Sequence, residues 1–250
     1  MTRVIMNGCN GRMGRVICSI AKENDCEIVA GIDKVTGVPT EFPVFTSPAD
    51  CDVEADVIID FSHFSAFDDI TAYAIAKKLP IIICTTGLQP EQVAKMDEIA
   101  KEIPVFFSAN MSLGVNLLID LVKKAARFLE GSFDIEIVEK HHNQKLDAPS
   151  GTALAIADGI NSVLETPCDY VYDRQCKREK RSKTEIGLHA VRGGTIVGEH
   201  SVIFAGYNEV IEVNHTAMSR DVFAVGALKA AKYLVGKENG RYAMSDMLAE

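Results

Sequence analysis

The stretch from 139 to 152 holds two adjacent histidines, His141 and His142, and a lysine, Lys145, shortly before a Pro-Ser-Gly-Thr sequence typical of a helix start. Histidine changes charge near neutral pH, and lysine is a strong hydrogen-bond donor whose pKa falls readily on burial. The N-terminus of a helix offers free N–H groups to carboxylates and phosphates. The combination predicts a site that protonates an anionic substrate.

Other interpretations of the same residues stay open. Two adjacent histidines also occur in solvated loops and in metal sites, and Ser150 could simply cap the helix predicted from 153 to 164. A cap accounts for Ser150, but it does not explain why His141, His142 and Lys145 all precede the same helix.

A second signal lies at the amino terminus, where a strand-like segment at 3–7 leads into Gly8-Cys9-Asn10-Gly11-Arg12-Met13-Gly14. A strand, a glycine turn and a helix are the order that binds a dinucleotide. The spacing is Gly-x-x-Gly-x-x-Gly, with Asn10 where the common fingerprint has its second glycine. The motif therefore needs support from residues further along the chain.

That support comes from Asp33, which ends a second apolar strand at about the offset expected of the acid that binds the adenosine ribose. A carboxylate there favours NADH because it repels the 2′-phosphate of NADPH. Lys34 could offset that repulsion, so we predict NADH use with some tolerance of NADPH. The alternative is that Asp33 and Lys34 form only a polar turn.

Strand and helix patterns alternate along the first half of the chain. Strand-like segments precede helical patterns in three pairs: 57–61 and 66–78, 81–84 and 90–103, 105–108 and 115–129. This repetition predicts an α/β fold with a Rossmann-like, doubly wound parallel sheet that binds ligands at the carboxyl ends of its strands. Three of those ends carry small or polar residues that suit a nicotinamide-ribose site and would also suit ordinary turns: Asp60-Phe61-Ser62-His63, Cys84-Thr85-Thr86-Gly87 and Ser108-Ala109-Asn110-Met111.

The second half of the chain changes character. Segments at 186–191, 201–204 and 210–215 alternate apolar and polar residues between glycine-containing turns, and an alanine-rich helix follows at 222–234. We therefore predict a second α+β domain at 111–217 with a largely antiparallel or mixed sheet. The dinucleotide-binding domain would comprise 1–110 and 218–250.

Composition narrows the class of protein. The 250 residues are 47% hydrophobic and 24% charged, with a formal net charge of −9. An acidic chain argues against nucleic-acid or membrane-surface binding. A basic segment at 174–183 is predicted to be a mobile surface loop, because like charges stay in solvent; folded over the active site, it would instead attract an acidic substrate. Seven cysteines without metal-like spacing predict free thiols and no metal site. The absence of a signal-peptide pattern or a long apolar run predicts a cytoplasmic protein.

Several motifs together resemble the 4-hydroxy-tetrahydrodipicolinate reductase family, also called dihydrodipicolinate reductases. They are Val-Ile-Met-Asn-Gly-Cys-Asn-Gly-Arg-Met-Gly at 4–14, Cys-Thr-Thr-Gly at 84–87, Ser-Ala-Asn-Met-Ser-Leu-Gly-Val-Asn at 108–116, Glu-Lys-His-His-Asn-Gln-Lys-Leu-Asp-Ala-Pro-Ser-Gly-Thr-Ala at 139–153, and Val-Arg-Gly-Gly-x-Ile-Val-Gly-Glu-His at 191–200. The resemblance spans essentially the whole chain, and the histidine-lysine element is its most specific part.

The resemblance implies an NAD(P)H-dependent reductase of the diaminopimelate route to lysine, a homotetramer built through its substrate-domain sheets, acting on a dicarboxylate. His141 and Lys145 would be catalytic. The substrate would be bound by His142, Ser150, Gly151 and Thr152. The cofactor, NADH or NADPH, would be held by Gly8, Cys9, Asn10, Gly11, Arg12, Met13, Asp33, Lys34, Cys84, Thr85, Thr86, Ser108, Ala109, Asn110 and Met111.

Two rival hypotheses remain. A semialdehyde or sugar dehydrogenase would share the glycine turn and the two-domain architecture, but a semialdehyde dehydrogenase needs an activated cysteine near a histidine, and the 139–153 element contains no cysteine. A nicotinamide-sensing protein without catalysis would have no need of proton donors at His141 and Lys145.

Overall fold

The computed structural model describes residues 1–249. Its strands are β1 (Thr2–Asn7), β2 (Cys26–Ile32), β3 (Val44–Phe45), β4 (Val57–Asp60), β5 (Ile81–Ile83), β6 (Pro104–Phe107), β7 (Asp134–His141), β8 (Asp169–Val171), β9 (Glu185–Arg192), β10 (Gly198–Gly206), β11 (Glu209–Ala217) and β12 (Gly240–Tyr242). Its α-helices are α1 (Arg12–Ile20), α2 (Phe67–Lys77), α3 (Pro90–Ile99), α4 (Leu113–Leu129), α5 (Gly151–Asn161), α6 (Asp221–Leu234) and α7 (Met244–Leu248). The chain forms two compact units, one comprising Met1–Leu113 with the segment that begins at Asp221, the other Gly114–Arg220.

The first unit is built on a parallel sheet in the order β12-β6-β5-β4-β1-β2-β3. Its central strands are almost wholly apolar because both faces are covered. Residues of α1 and α6 pack on the face that carries Val4 and Ile59, and residues of α2 and α3 pack on the face that carries Ile5 and Ile58. The predicted doubly wound fold is confirmed.

The strand order of this sheet reverses between β1 and β4. From β1 the sheet continues in one direction to β2 and β3, and from β4 it continues in the other to β5 and β6. In open α/β sheets, ligands bind beyond the carboxyl ends of the strands at such a reversal. The ends in question are Asn7-Gly8 and Asp60-Phe61.

The second unit contains a five-stranded sheet in the order β11-β10-β7-β9-β8. The β10 strand pairs antiparallel with β7 and β11, whereas β9 pairs parallel with β7 and β8. The sheet is therefore mixed, with two antiparallel and two parallel pairings. Apolar residues of α4 and α5, including Val122 and Ile156, cover one face together with Ile137, Leu188 and Phe204.

The basic segment at 174–183 is partly anchored. The Arg181 side chain is only 17% exposed and bonds Asp134 and Glu136, while Arg174 pairs with Glu136 and Glu185. The prediction that like charges keep the whole segment in solvent is wrong for these two arginines, because carboxylates on the outer face of the sheet neutralise them.

Candidate active site

A cleft of about 500 Å³ lies at the carboxyl ends of β1 and β4 in the first unit, where the strand order reverses. Four residues predicted to bind cofactor line this nucleotide cleft: Gly8, Gly11, Asp33 and Lys34. Residues that the sequence did not predict for the site also line it, including Ile32, Ser47 and Asp69. Ser47 is brought there by the short 3-10 turn Pro48–Asp50, which it caps.

The glycine turn beside the cleft has the geometry that a phosphate needs. Gly8 has φ +82°, and a β-carbon on it would lie 2.7 Å from the carbonyl oxygen of Phe61. Gly11 is the N-cap of α1 and supplies no side chain to bond the first-turn N–H groups of that helix. These N–H groups suit an anion such as the pyrophosphate of a dinucleotide.

Asp33 ties the glycine turn to the end of β2. Its Oδ2 accepts a hydrogen bond of 2.9 Å from the Asn10 N–H, and its Oδ1 accepts one of 2.9 Å from the Val35 N–H. Each carboxylate oxygen has a second lone pair for a ribose hydroxyl. The Asn10 side chain is already used, because it donates to the Val35 carbonyl.

A buried carboxyl, Asp60, joins three strand ends under the cleft. It accepts hydrogen bonds from the Asn7 side-chain amide at 2.7 Å, the Ser62 N–H at 3.1 Å and the Thr85 hydroxyl at 2.6 Å. Burial raises the pKa of Asp60, and these hydrogen bonds oppose the rise. The sequence pattern does not predict this structural role of Asp60 or its hydrogen bond with the Thr85 hydroxyl.

Other predicted cofactor residues do not line the nucleotide cleft. The side chains of Cys9, Cys84 and Met111 pack in the apolar core, so contact with a cofactor could come only from their main chain. Thr86 and Ala109 are exposed, and the Ser108 hydroxyl donates to the Asn110 carbonyl within the loop after β6. At the start of α1, Arg12 is exposed and Met13 packs partly against the core.

The predicted proton donors lie in the second unit at the end of β7. The β7 strand continues to His141, so the first histidine lies in the sheet. Alternate residues of β7 are buried, which places Glu139 and His141 on the same inward face as Ile137. Glu139 is fully buried and His141 is 9% exposed.

His141 is held through one ring nitrogen. Its Nδ1 lies 2.6 Å from Oε2 of Glu139, and because a carboxylate can only accept, Nδ1 carries the hydrogen. The opposite nitrogen, Nε2, is therefore the one that can exchange a proton with a ligand. The strand neighbour Arg192, at the end of β9, also binds Glu139.

Ser150 begins α5 and is almost completely buried. Its Oγ accepts a hydrogen bond of 3.1 Å from the Ala153 N–H, as an N-cap does, and lies 3.1 Å from Nε2 of His200. Burial, and next the neighbouring His141 ring, lower the pKa of His200 to about 4, so that this histidine is neutral near pH ~7. The capping interpretation of Ser150 is thus correct, and its contact with substrate stays a prediction.

Lys145 lies in the loop between β7 and α5. Its Nζ is 2.8 Å from Oδ1 of Asp147, and its side chain is 22% exposed. The hydrogen bond from Lys145, with a smaller contribution from the Gly151 main chain, holds the pKa of Asp147 below its usual value. Lys145 and the start of α5 therefore meet around one carboxylate. Of the other residues predicted to bind substrate, His142 and Thr152 are half-buried and Gly151 is exposed.

Four residues of this region were not assigned as site residues from the sequence: Glu139, Arg192, Gly198 and His200. The alternation of Asp-Ile-Glu-Ile at 134–137, continued along the strand with a period of two, could have indicated that Glu139 points inward with Ile135 and Ile137. The other three reach the site through strand pairing across the sheet, which no local pattern reveals.

Within residues 1–249, no three or more His, Cys, Asp or Glu side chains are grouped to hold a metal ion. No helix in that range is long and apolar enough to span a bilayer. All seven cysteines are free thiols.

Both halves of the chain match profiles of one protein family. The profile described as dihydrodipicolinate reductase, N-terminus, matches residues 2–111, and the profile described as dihydrodipicolinate reductase, C-terminus, matches residues 114–248.

Individual relatives agree with the profiles. A 4-hydroxy-tetrahydrodipicolinate reductase of Caldanaerobacter subterraneus subsp. tengcongensis is 58% identical over 249 residues, covering 99% of this chain and 98% of the relative. One of Clostridium tetani is 50% identical over 249 residues, covering 99% and 97%. In fold, the chain is similar to the dipicolinate-bound dihydrodipicolinate reductase of Paenisporosarcina sp. TG-14, with a TM-score of 0.84, 24% identity and 99% coverage of both chains.

Proposed function

The chain belongs to the dihydrodipicolinate reductase family, and on that premise we propose that it reduces 4-hydroxy-tetrahydrodipicolinate to tetrahydrodipicolinate, with loss of water, in lysine biosynthesis through diaminopimelate. The observation that supports this most directly is the arrangement in the second unit. A histidine with one free ring nitrogen, a lysine and a helix N-terminus lie at one end of the same sheet, and they suit an anionic substrate that must be protonated.

We propose that the nucleotide cleft binds NADH and tolerates NADPH. The uncapped start of α1 fits the pyrophosphate, and the Asp33 carboxylate fits the ribose hydroxyls. Lys34 lines the same cleft and offsets part of the repulsion between Asp33 and a 2′-phosphate. When bound, the reduced nicotinamide supplies a hydride to C4 of the substrate ring.

The residues of the second unit manage the protons. Loss of the 4-hydroxyl as water requires a proton on the leaving oxygen, and the reduced ring requires one more at the carbon next to C4. We assign the second proton to Lys145 Nζ and a donor or acceptor role to Nε2 of His141. The paired Glu139 keeps the hydrogen on Nδ1 of His141 throughout.

The substrate carries two carboxylates, and we assign one of them to the start of α5. The first-turn main chain at Gly151 and Thr152 attracts negative charge through the helix dipole, and His142 lies on the preceding loop. A carboxylate held there draws electron density from the ring and stabilises charge that develops during the reaction. The Asp147 carboxylate lies beside this helix start, where it bonds Lys145 and the Gly151 main chain.

Oligomeric state and location remain proposals. By family resemblance we propose a homotetramer assembled through the sheets of the second unit, in the cytoplasm. Strands β9 and β11 carry exposed apolar side chains that a partner could cover, among them Val191 at 44% and Val210 at 59% exposure. Light scattering of the purified chain would give the mass of the assembly directly.

The function is tested by a coupled assay. The upstream synthase generates the substrate in the cuvette, and consumption of NADH is followed by its absorbance. We expect NADH to be oxidised only when the synthase supplies the substrate, and not when a sugar or an aldehyde replaces that substrate. Oxidation with a sugar or an aldehyde alone would support a dehydrogenase of another class. Tight nucleotide binding without turnover would support a sensor.

A further inference from the structure

We propose that Glu139 is the positioning residue of the active site: one buried carboxylate fixes the proton-exchanging ring of His141, the start of α5 and the Lys145 loop relative to one another. This inference rests on the proposed function, because it assigns a role in the same site. Glu139 is fully buried, yet it lies on a strand whose other inward residues are apolar or His141. Burying a carboxylate on an otherwise apolar face costs free energy that only well-placed donors offset.

The two carboxylate oxygens of Glu139 accept four hydrogen bonds. Oε2 accepts from Nδ1 of His141 at 2.6 Å and from Nη1 of Arg192 at 2.8 Å. Oε1 accepts from the Ser150 N–H at 3.0 Å and from Nη2 of Arg192 at 2.7 Å. Four donors saturate the carboxylate, so it is ionised.

The charge state agrees with this geometry. Burial raises the pKa of Glu139, but hydrogen bonds from Arg192, His141 and the Ser150 main chain outweigh burial and lower the pKa below its ordinary value. The same pairing raises the pKa of Arg192. The pair is therefore an ion pair whose bidentate geometry fixes direction as well as distance.

Arg192 extends the linkage to the Lys145 loop. Its Nη2 donates a second hydrogen bond, of 2.6 Å, to the main-chain carbonyl of Asp147. Asp147 in turn holds Nζ of Lys145 at 2.8 Å. Displacing Glu139 would consequently disturb three parts at once: the tautomer of His141, the N-cap residue of α5 and the loop that carries Lys145.

The test is Glu139→Gln, which keeps the shape of the side chain but removes its charge and places an N–H₂ group among donors. The matched control is Glu199→Gln, since Glu199 on β10 forms an ion pair with Lys140, its partner on β7 of the same sheet. We expect kcat to fall about 10- to 100-fold in Glu139→Gln, as for lost supporting contacts of other catalytic ligands. The KM of Glu139→Gln for NADH should stay within about twofold of wild type, and so should kcat of Glu199→Gln.

If Glu139 only stabilised the fold, its replacement would leave the tautomer of the His141 ring unchanged. Nitrogen-15 NMR of labelled histidine should show hydrogen on Nδ1 of His141 in wild type and in Glu199→Gln, and a loss of that tautomer in Glu139→Gln. An unchanged His141 tautomer, or a kcat equal to that of Glu199→Gln, would overturn the proposal. The NMR measurement does not depend on the substrate, so it separates this inference from failure of the proposed function.

A second variant covers the case in which Glu139→Gln does not fold. Arg192→Lys retains the positive charge beside Glu139 but cannot bond both carboxylate oxygens and the Asp147 carbonyl together. We expect it to keep the His141 tautomer and to lower kcat/KM for the dicarboxylate about tenfold. A normal kcat/KM in Arg192→Lys would refute the linkage to the Lys145 loop.

Discussion

The Nε2 atom of His141 lies 3.1 Å from the point that a β-carbon on Gly198 would occupy. Gly198 begins β10, beside the end of β7 that carries His141. Since Nδ1 is held by Glu139, the space beside Nε2 is where this ring can meet a ligand. A glycine at 198 thus leaves out the side chain that would crowd the ring nitrogen of His141 that Glu139 does not hold.

We predict that Gly198→Ala lowers kcat/KM for the dicarboxylate at least about tenfold, because the added methyl crowds Nε2, with a loss of stability of about 1–3 kcal/mol from overpacking. Steady-state kinetics and thermal unfolding measure the two effects. Gly193→Ala is the control, as nothing lies within 4 Å of a β-carbon at Gly193. Equal kinetics for the two variants would show that the space beside Nε2 is not used.

Acid should destabilise the chain through His200. Its pKa is lowered to about 4 in the folded state by burial first and then by His141, whereas the unfolded side chain has its ordinary value of 6.5. Between these values only the unfolded state takes up the proton, so stability is present above pH ~6.5 and is lost as pH falls toward ~4. His200 alone should remove about 2 kcal/mol between pH ~7 and pH ~5.

Urea unfolding at both pH values checks this prediction in wild type and in His200→Gln, which retains a polar side chain beside Ser150. The loss of stability on acidification should be smaller in the variant by that amount. His63→Gln, at an exposed histidine, serves as control and should lose as much stability on acidification as wild type does. If acidification affects His200→Gln as much as wild type, His200 is not the titrating group.

Much of the first unit could be predicted because its determinants are local. Runs such as Val4 to Met6 and Ile81 to Ile83 are apolar throughout, as strands covered on both faces must be. The glycine turn and Asp33 occur at fixed offsets from those strands. The short strands β8 and β12, three residues each, were missed because so few residues carry no periodicity.

The missed site residues share a physical cause. Asp60 acquires its role from Asn7 and Thr85, which meet it only when three parallel strands align. Glu139 lies opposite His200 by strand register, and Arg192 lies opposite His141. Register is set by packing across the whole sheet, so a pattern read along one segment cannot supply it.

Thr85 offers a test of the Asp60 contacts. We predict that Thr85→Val lowers the free energy of unfolding by about 1–3 kcal/mol, because it leaves Oδ2 of the buried Asp60 without its hydroxyl donor. It should also weaken NADH binding, since Asn7 and Ser62, which Asp60 holds, line the nucleotide cleft. Denaturant titration and fluorescence binding measure both.

The exposed neighbour Thr86 is the control for stability, and Thr86→Val should change it by no more than about 0.5 kcal/mol. A Thr85→Val protein as stable as Thr86→Val would mean that the Thr85 hydroxyl contributes nothing to holding Asp60.

Asp33 should set the preference between cofactors. We predict that Asp33→Ala shifts the ratio of kcat/KM for NADH to that for NADPH by about tenfold toward NADPH, equivalent to roughly 1.4 kcal/mol. The reason is that the variant removes a carboxylate that repels a 2′-phosphate, while Lys34 remains. Asp52→Ala, at an exposed aspartate outside the cleft, should leave the ratio unchanged. An unchanged ratio in Asp33→Ala would remove Asp33 from the ribose site.

If Lys145 gives a proton to the reduced substrate, its removal should lower kcat, which is measured in Lys145→Ala. Lys124→Ala is the matched control, because Lys124 also pairs with an aspartate, at 2.7 Å, but lies on α4. We expect a kcat about 100-fold below wild type for Lys145→Ala, with near-normal activity for Lys124→Ala and similar unfolding temperatures. A kcat for Lys145→Ala within a few-fold of wild type would rule out Lys145 as the proton donor.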